Sequence, residues 1–357
     1  MQKKNTTLNF TGQTFFIGLD VHKKSWNVAI RSNGLLLKIF SINPDANELW
    51  KYLTKNYPKG EYRSVYEAGF SGFRSHRELI QKGIHNIVVN AADIPTSSKE
   101  KMMKTDPSDS AKLARELENG NLESIYIPDE LSQELRSFCR LRYQTMQNQT
   151  RVKNRIKSYL AYYGHNLPEN HQLVHWSGRF IDHLKTLEFI SPLGKDQLEI
   201  YIAELLEIRS RHLLVLKTIR KYIKEYKRQD DLELLLSIPG FGYTTALTFL
   251  TELIDINRFP RFDQLAGFVG LVPSTRSSGE KDRTIGLSNR FNKYLRTILI
   301  EAAWVAVRSD PALVLSFSQL TKRMSKQKAI IRIAKKLLSR MDHVWRNRTK
   351  YVFSVVE

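Results

Sequence analysis

The chain has 357 residues, 41% of them hydrophobic, which is enough for two or three packed domains and excludes a disordered polymer. Lys and Arg number 56 against 36 Asp and Glu, and this net charge of +20 points to a polyanionic partner, with nucleic acid ahead of an anionic membrane surface. An apolar run of about 18 residues, an apolar signal core in MQKKNTTLNFTGQ and a second cysteine beside Cys139 are all lacking, so the expectation is a cytoplasmic chain with no membrane span and no disulfide.

Residues 1–125 alternate strands and helices. TFFIGLDV, SWNVAIR and LLLKIFSI read as three strands of a meander, the last two joined by a tight SNG turn. NPDANELWKYLTKNY reads as a helix entered at Asn43 and Pro44. A strand in YRSVYEAG, a helix in SGFRSHRELIQKG stopped by Gly83, and a strand in HNIVVNAADIP follow. The last helix opens in KTDPSDSAKLARELENG with Asp106 as cap, Pro107 at the first position and an acid, Asp109, at the third. Asn119-Gly120 ends it. Three antiparallel strands followed by alternating helices and strands is the order of a ribonuclease H-like fold, an analogy of fold and not of chemistry.

Residues 126–230 read as helical and elongated. Leu131, Leu135, Phe138, Val152, Ile156, Tyr159 and Tyr163 keep a 4,3 spacing, with polar Arg142, Thr145 and Gln149 between the two apolar groups. Leu198, Ile202, Leu205, Leu216, Ile219, Ile223 and Tyr226 repeat it, with Arg209 and His212 in the middle. Two such helices, separated by HNLPENHQ and SPLGK, predict a long antiparallel coiled-coil insertion or dimerisation arm. Cys139 lies within the first helix and is expected to be packed.

Residues 231–357 read as a helical domain. LLLSIPGFGYTTALTFLTEL has the form of a helix-hairpin-helix element, in which Gly240 and Gly242 let backbone N–H groups approach a phosphate at the start of the second helix. GLVPSTRSSGEKDRTIGLSNRFNKYLR reads as a loop rich in serine, glycine and base, followed by a helix. Residues 311–357 hold eleven Lys and Arg against two acids, and KQKAIIRIAKKLLSRMDHVWRNRTKY predicts a basic amphipathic helix, apolar at Ile330, Ile333, Leu337 and Met341. That helix is expected to pack one face and offer the other to phosphate.

The chemistry lies in acids and a serine. Asp20 ends the first strand and Glu67 the fourth, neighbours in the expected sheet, and the Asp106 helix brings Asp106 and Asp109 to the same edge. Four converging carboxylates repel one another and raise each other's pKa. Magnesium relieves that repulsion, because it is a hard cation taking carboxylate, water and phosphate oxygens. Capping and metal binding are compatible, since Asp106 has one oxygen for each. His22, with no second His or Cys nearby, reads as a surface histidine. Ser277 and Ser278, flanked by Arg276, Lys281 and Arg283, need a base or cations to become nucleophilic.

GLDVHK, YEAGFSGF and KTDPSDSAKLA, with SIPGFGYTTALTFLTEL, FDQLAGFVGLVPS, SSGEK, GLSNRFNKYLR and KAIIRIAKKLL, resemble the DEDD transposases of bacterial insertion sequences over nearly the full length. These are the one-ten group, known as bridge-RNA-guided recombinases. The resemblance implies a RuvC-like domain, a coiled-coil arm and a C-terminal transposase domain. It implies magnesium on Asp20, Glu67, Asp106 and Asp109, and a serine that attacks DNA phosphate to form a phosphoserine intermediate. The family's serine directly precedes the glycine, which designates Ser278, with Ser277 in reserve. The family also implies a composite site shared between subunits of a dimer or tetramer, DNA as element ends and target, a noncoding guide RNA, and nucleoid association when active. Gly240, Gly242, Arg276, Lys281, Arg283, Arg290, Lys293, Arg296, Lys335 and Lys336 are the expected nucleic-acid contacts. The chain departs from the family's usual pattern at Glu280, Asn289 and Phe291. A RuvC-like nuclease using water needs the carboxylates but not Ser278, and a non-catalytic nucleic-acid scaffold needs neither.

Overall fold

A computed structural model of the chain describes residues 8–95, 106–169, 172–278 and 281–353, with backbone alone for 106–107, 275–278 and 281–285. Two compact units emerge, one ending at Ile127 and one beginning at Pro128.

The first unit grows from β1 (Thr14–Val21), β2 (Trp26–Ser32) and β3 (Leu35–Ile42), an antiparallel meander. Asn33 and Gly34 both take positive φ, the turn that matches strand twist in a two-residue hairpin. β4 (Glu61–Glu67) and β5 (His85–Val89) then add in parallel, giving the order β3-β2-β1-β4-β5. This mixed sheet has the strand order expected of a ribonuclease H-like fold. Alternate residues of β1, Phe15, Ile17 and Leu19, are fully buried with Leu49, Leu53 and Leu79 of α1 (Ala46–Asn56) and α2 (Arg74–Gln81). Asp45 rather than Asn43 caps α1, because its carboxylate accepts from the Asn47 N–H at 2.8 Å.

The other face of the sheet is covered by α3 (Asp106–Glu118). Leu113 packs with Val65, Val89 and Ile94. At its C-terminal end Glu118 accepts from Arg31 at 2.8 Å and from the Gly34 N–H at 2.7 Å, which ties the helix to the β2–β3 hairpin.

In the second unit α4 (Glu130–Tyr162) and α6 (Pro192–Glu225) run antiparallel, each about 50 Å long at 1.5 Å per residue. Arg155 meets Glu204 at 2.8 Å, and the Tyr159 hydroxyl donates to the Gly194 carbonyl at 2.7 Å. At their far end α5 (Gly178–Lys185) adds Phe180, Ile181 and Leu184 to a core with Ile156, Leu198 and Ile202. At the root the buried seam differs from the expected one. Leu131 is 51% and Phe138 36% exposed, while Cys139, Arg142 and Thr145 are buried. The reason is a second neighbour: this part of α4 also packs on a C-terminal helix, where Arg136 donates to the Thr251 carbonyl at 3.2 Å and Arg140 pairs with Glu252 at 2.7 Å. That contact rotates the buried face away from the apolar heptad.

The C-terminal core is formed by α7 (Gln229–Leu236), α8 (Tyr243–Leu253), α9 (Phe262–Val269), α10 (Lys293–Ser309), α11 (Pro311–Thr321) and α12 (Lys326–Asn347). α12 buries Ile330, Ile333, Leu337 and Met341, the apolar face expected of it. Asp310 is fully buried; it caps α11 through the Leu313 N–H at 2.9 Å and accepts from Arg340 at 3.0 Å and from the Tyr351 hydroxyl. The stretch read as a serine-rich loop is instead a β-hairpin of β6 (Pro273–Ser278) and β7 (Lys281–Leu287). Cross-strand pairing satisfies backbone groups that a loop leaves to water. Among the described residues no helix is long and apolar enough to cross a membrane.

Candidate active site

The acidic edge is organised by a glycine. Gly18 stands two residues before Asp20 on β1, so the two share one face of the sheet. A Cβ on Gly18 would lie 2.0 Å from the Ser110 carbonyl oxygen and 2.5 Å from the Ala114 nitrogen, so α3 crosses β1 in backbone contact at this point. The C-terminal end of α3 is held at the β2–β3 turn, beside the start of β1, so its N-terminal end extends the other way. Asp106 is one helical turn before Ser110, and Asp20 is two strand steps past Gly18. Both steps cover about 6–7 Å in the same direction. The start of α3 and the end of β1 therefore meet at one edge of the sheet. Leu19 pairs with Tyr66, and the next step along both strands is Asp20 and Glu67.

Asp20 is mostly covered, with 22% of its side chain exposed, and Glu67 is exposed. His22 is on the surface, as expected, and its Nε2 also lies 2.9 Å from Asp20 Oδ2. The geometry of a turn two residues past Asp20 creates that pair, and sequence spacing alone does not reveal it. Asp109 is half-buried on α3, while Asp106 is described by its backbone alone. Among the described residues no group of three or more His, Cys, Asp or Glu is gathered closely enough to hold a metal ion. The donor set at this edge nevertheless fits magnesium chemically: Asp20, Glu67, Asp106 and Asp109 offer oxygen alone, the ligand a hard cation prefers.

Ser277 and Ser278 end β6, where Ser277 pairs with Asp282 and Ser278 with Lys281 across the hairpin, and Arg276 pairs with Arg283. The base of the hairpin is braced by Arg296, whose Nη1 donates to the Gly270 carbonyl at 3.1 Å and the Ser288 carbonyl at 2.9 Å. Its guanidinium is 3.2 Å from the centre of the Phe291 ring, and burial lowers its pKa from the ordinary value. Phe291, one of the departures from the family pattern, thus packs on an expected nucleic-acid contact. Arg290 and Lys293 are exposed, as is Asn289. Lys335 lies over the Phe262 ring at 5.9 Å, and Lys336 donates to Ser316 Oγ at 2.5 Å.

Gly240 and Gly242 differ. Gly240 has φ +80°, and a Cβ there would lie 2.2 Å from the Ala302 carbonyl oxygen, so it is the contact that lets the α7–α8 turn close on α10. Gly242 precedes α8 with open space beside it. Glu252, Arg140 and Asn292 form a network absent from the reading of the sequence. Glu252 accepts from Arg140 Nε at 2.7 Å and Nη2 at 2.9 Å, and from Asn292 Nδ2 at 2.8 Å. Hydrogen bonding to Glu252 raises the Arg140 pKa.

Comparison with known proteins agrees with this architecture. A family model described as "Transposase", of the DEDD one-ten type, matches residues 17–164, and one described as "Transposase IS116/IS110/IS902 family" matches residues 232–319. "Putative transposase y4rJ" of Sinorhizobium fredii is 30% identical over 300 residues, covering 77% of this chain and 74% of its own. "Putative transposase y4qE" of the same organism is 26% identical over 295 residues, 81% of this chain and 71% of its own. The "Transposase for insertion sequence element IS1111A" of Coxiella burnetii is 29% identical over 217 residues, 58% of this chain and 56% of its own. With residues 17–164 and 232–319 matched and a relative 30% identical over 74% of its own length, the chain belongs to the IS110 family of DEDD transposases.

Proposed function

We propose that this transposase cuts and rejoins DNA with a serine nucleophile and a magnesium-binding carboxylate cluster, and so excises and inserts its own mobile element. The observation that carries the carboxylate half is the backbone contact of α3 at Gly18, which sets Asp106 at the same edge as Asp20 and Glu67. Asp20, Glu67, Asp106 and Asp109 hold the metal, and magnesium when bound neutralises charge on the phosphate oxygens.

Ser278, with Ser277 in reserve, supplies the nucleophile. Its Oγ forms an ester to phosphorus as the P–O bond to a deoxyribose oxygen breaks. The serine proton passes to a carboxylate or water, and the departing oxygen is protonated to a free hydroxyl. Arg276, Lys281 and Arg283 fit the charge of a phosphate undergoing this exchange. The family membership supports DNA as partner, a guide RNA and a dimer or tetramer with a shared site. The antiparallel α4–α6 pair serves as the coiled-coil arm of that assembly. The α7–α8 turn serves as a helix-hairpin-helix contact through Gly242, with Arg290, Lys293 and the exposed Lys336 on the backbone of the nucleic acid. The domains then run 1–125, 126–230 and 231–357.

Covalent trapping tests this reading. The protein is expressed with its flanking DNA, and protein–DNA adducts are digested for mass spectrometry. A nucleotide on Ser278, absent from Ser278→Ala and from Asp106→Ala, is the expected result. Cleaved DNA without an adduct replaces the serine by water, and no cleavage from any form reduces the chain to a binding scaffold.

A further inference from the structure

The root of the helical arm contains a buried charge that the proposed chemistry does not use. Arg142 on α4 is 3% exposed, yet its Nε has no hydrogen-bond partner and its Nη1 donates only to Met146 Sδ, a weak acceptor, at 3.0 Å. A guanidinium removed from water without an anion is costly, and replacing buried ions by apolar groups of similar size is often neutral or stabilising.

Neighbouring carboxylates do not neutralise it. Glu252 has both oxygens engaged by Arg140, and one of them by Asn292 as well. Glu301 is exposed on α10. The remaining facing groups are Cys139, which is uncharged because burial pushes its thiol up to about 12, and His212 from α6, whose pKa is lowered by burial and then by Arg142 itself. Burial also lowers the pKa of Arg142.

Arg142 lines a pocket of about 400 Å³ between α4, α8 and α10. That volume is in the range of small-molecule sites and exceeds what a bare ion needs. Tyr143 and Tyr294 meet edge to face in its wall, with centroids 5.0 Å apart, and Thr244, Thr248 and Thr251 give one side of it hydroxyls. Arg140, paired with Glu252, also lines it, and Arg151, exposed on the same stretch of α4, adds a further cation.

We infer that this pocket takes one nucleotide of a nucleic-acid strand, its phosphate on Arg142 and its base or sugar against Tyr143, since the Tyr294 ring already carries Arg140 at 4.9 Å and Lys293 at 5.2 Å. Arginine matches a phosphate with paired N–H donors, and aromatic faces accept any base, so the site holds a strand without reading its sequence. The inference rests on the reading of the chain as a nucleic-acid enzyme but not on the serine or the metal.

The test uses the full chain and Arg142→Met, with Arg142→Lys as a second variant. Melting temperatures are measured without ligand, and binding of a fluorescent 20-nucleotide single strand, as DNA and as RNA of the same sequence, is followed by anisotropy over a salt series. Arg142→Met is expected to melt at or above wild type and to bind about tenfold more weakly or worse, the loss of a charge-assisted hydrogen bond. Its salt dependence is expected to fall by about one phosphate contact. Arg142→Lys is expected to lie between, and the strand more weakened by Arg142→Met is the occupant. A lower melting temperature for Arg142→Met overturns the inference, because it means the guanidinium is satisfied within the chain. Unchanged melting with unchanged binding of both strands also overturns it, and assigns the pocket to another anion such as a protein carboxylate. If wild type binds neither strand, the nucleic-acid reading fails together with the pocket.

Discussion

Gly18→Ala tests how the acidic edge is built. The added methyl would stand 2.0 Å from the Ser110 carbonyl oxygen, where ordinary contact starts at 3.4 Å, so α3 must retreat by about 1.4 Å or the sheet must bend. Neither obstacle is a flexible side-chain end, since both nearest atoms belong to the α3 backbone. Overpacking of this kind costs about 1–3 kcal/mol, which lowers the melting of the first unit by several degrees. The effect on chemistry is larger. A displacement of about 1 Å in a reacting constellation costs on the order of 100-fold in rate, and the helix that moves carries Asp106 and Asp109. Under the proposed function the assay is strand cleavage on the element's own ends over a magnesium series, with melting followed by circular dichroism in parallel. The expected result is a loss of cleavage near 100-fold with most of the fold retained, and a higher magnesium requirement. Full cleavage at the wild-type magnesium requirement would refute the argument that Gly18 sets the edge.

A matched control exists in the second unit. Gly267 lies within α9 with no atom near its missing Cβ, so Gly267→Ala should stabilise by about 0.5–1 kcal/mol, read as a higher urea midpoint. For the Arg140–Glu252 pair the order of damage is the informative quantity. Arg140→Ala leaves the buried Glu252 carboxylate with Asn292 alone and should cost about 3 kcal/mol or more, whereas Glu252→Gln leaves an arginine whose side chain is 40% exposed and should cost less; urea melts showing the reverse order contradict the burial argument. Asp310 predicts an acid dependence. Burial pushes its carboxyl up, but hydrogen bonds from Tyr351 and the Leu313 N–H, with Arg340, outweigh this and hold it below the ordinary value. Stability from a depressed carboxylate is present above the unfolded pKa of about 3.9 and fades as pH falls through the folded value. The difference in urea midpoint between wild type and Asp310→Asn should therefore be constant from pH 7 to pH 5 and shrink below about pH 4.

Local patterns in the sequence were sufficient for the first unit's elements. The Asn33-Gly34 turn between SWNVAIR and LLLKIFSI specifies a hairpin from near neighbours, and Asn119-Gly120 ends α3 with Gly120 at φ +72°. Strand order then follows from helix and strand alternation, and with it the adjacency of Asp20 and Glu67. α12 was legible for the same reason, since a helix that packs on one core shows its 3.6-residue period. The seam at the root of α4 was not, because that helix serves two neighbours at once and buries Cys139 and Arg142 where a single heptad predicts Phe138. The serine stretch, rich in glycine and base, lacks the apolar run of β1, and its pairing as a hairpin had no comparable signal.

What the sequence by itself determined is the set of elements and the chemistry available: oxygen donors at strand ends, serines before a glycine, and an excess of cations for a polyanion. Only the tertiary structure decided which residues meet. Gly18 and Ser110 are 92 positions apart, as are no two residues within one period of a helix or strand, and their contact is a matter of backbone packing that leaves no pattern in either segment. Gly240 illustrates the same division: a Pro-Gly turn is readable locally, but whether its glycine faces a phosphate or the backbone of α10 depends on a helix that begins more than fifty residues later. Secondary structure follows from interactions between near neighbours, whereas a site is an intersection of elements, and its geometry exists only once their cores have packed.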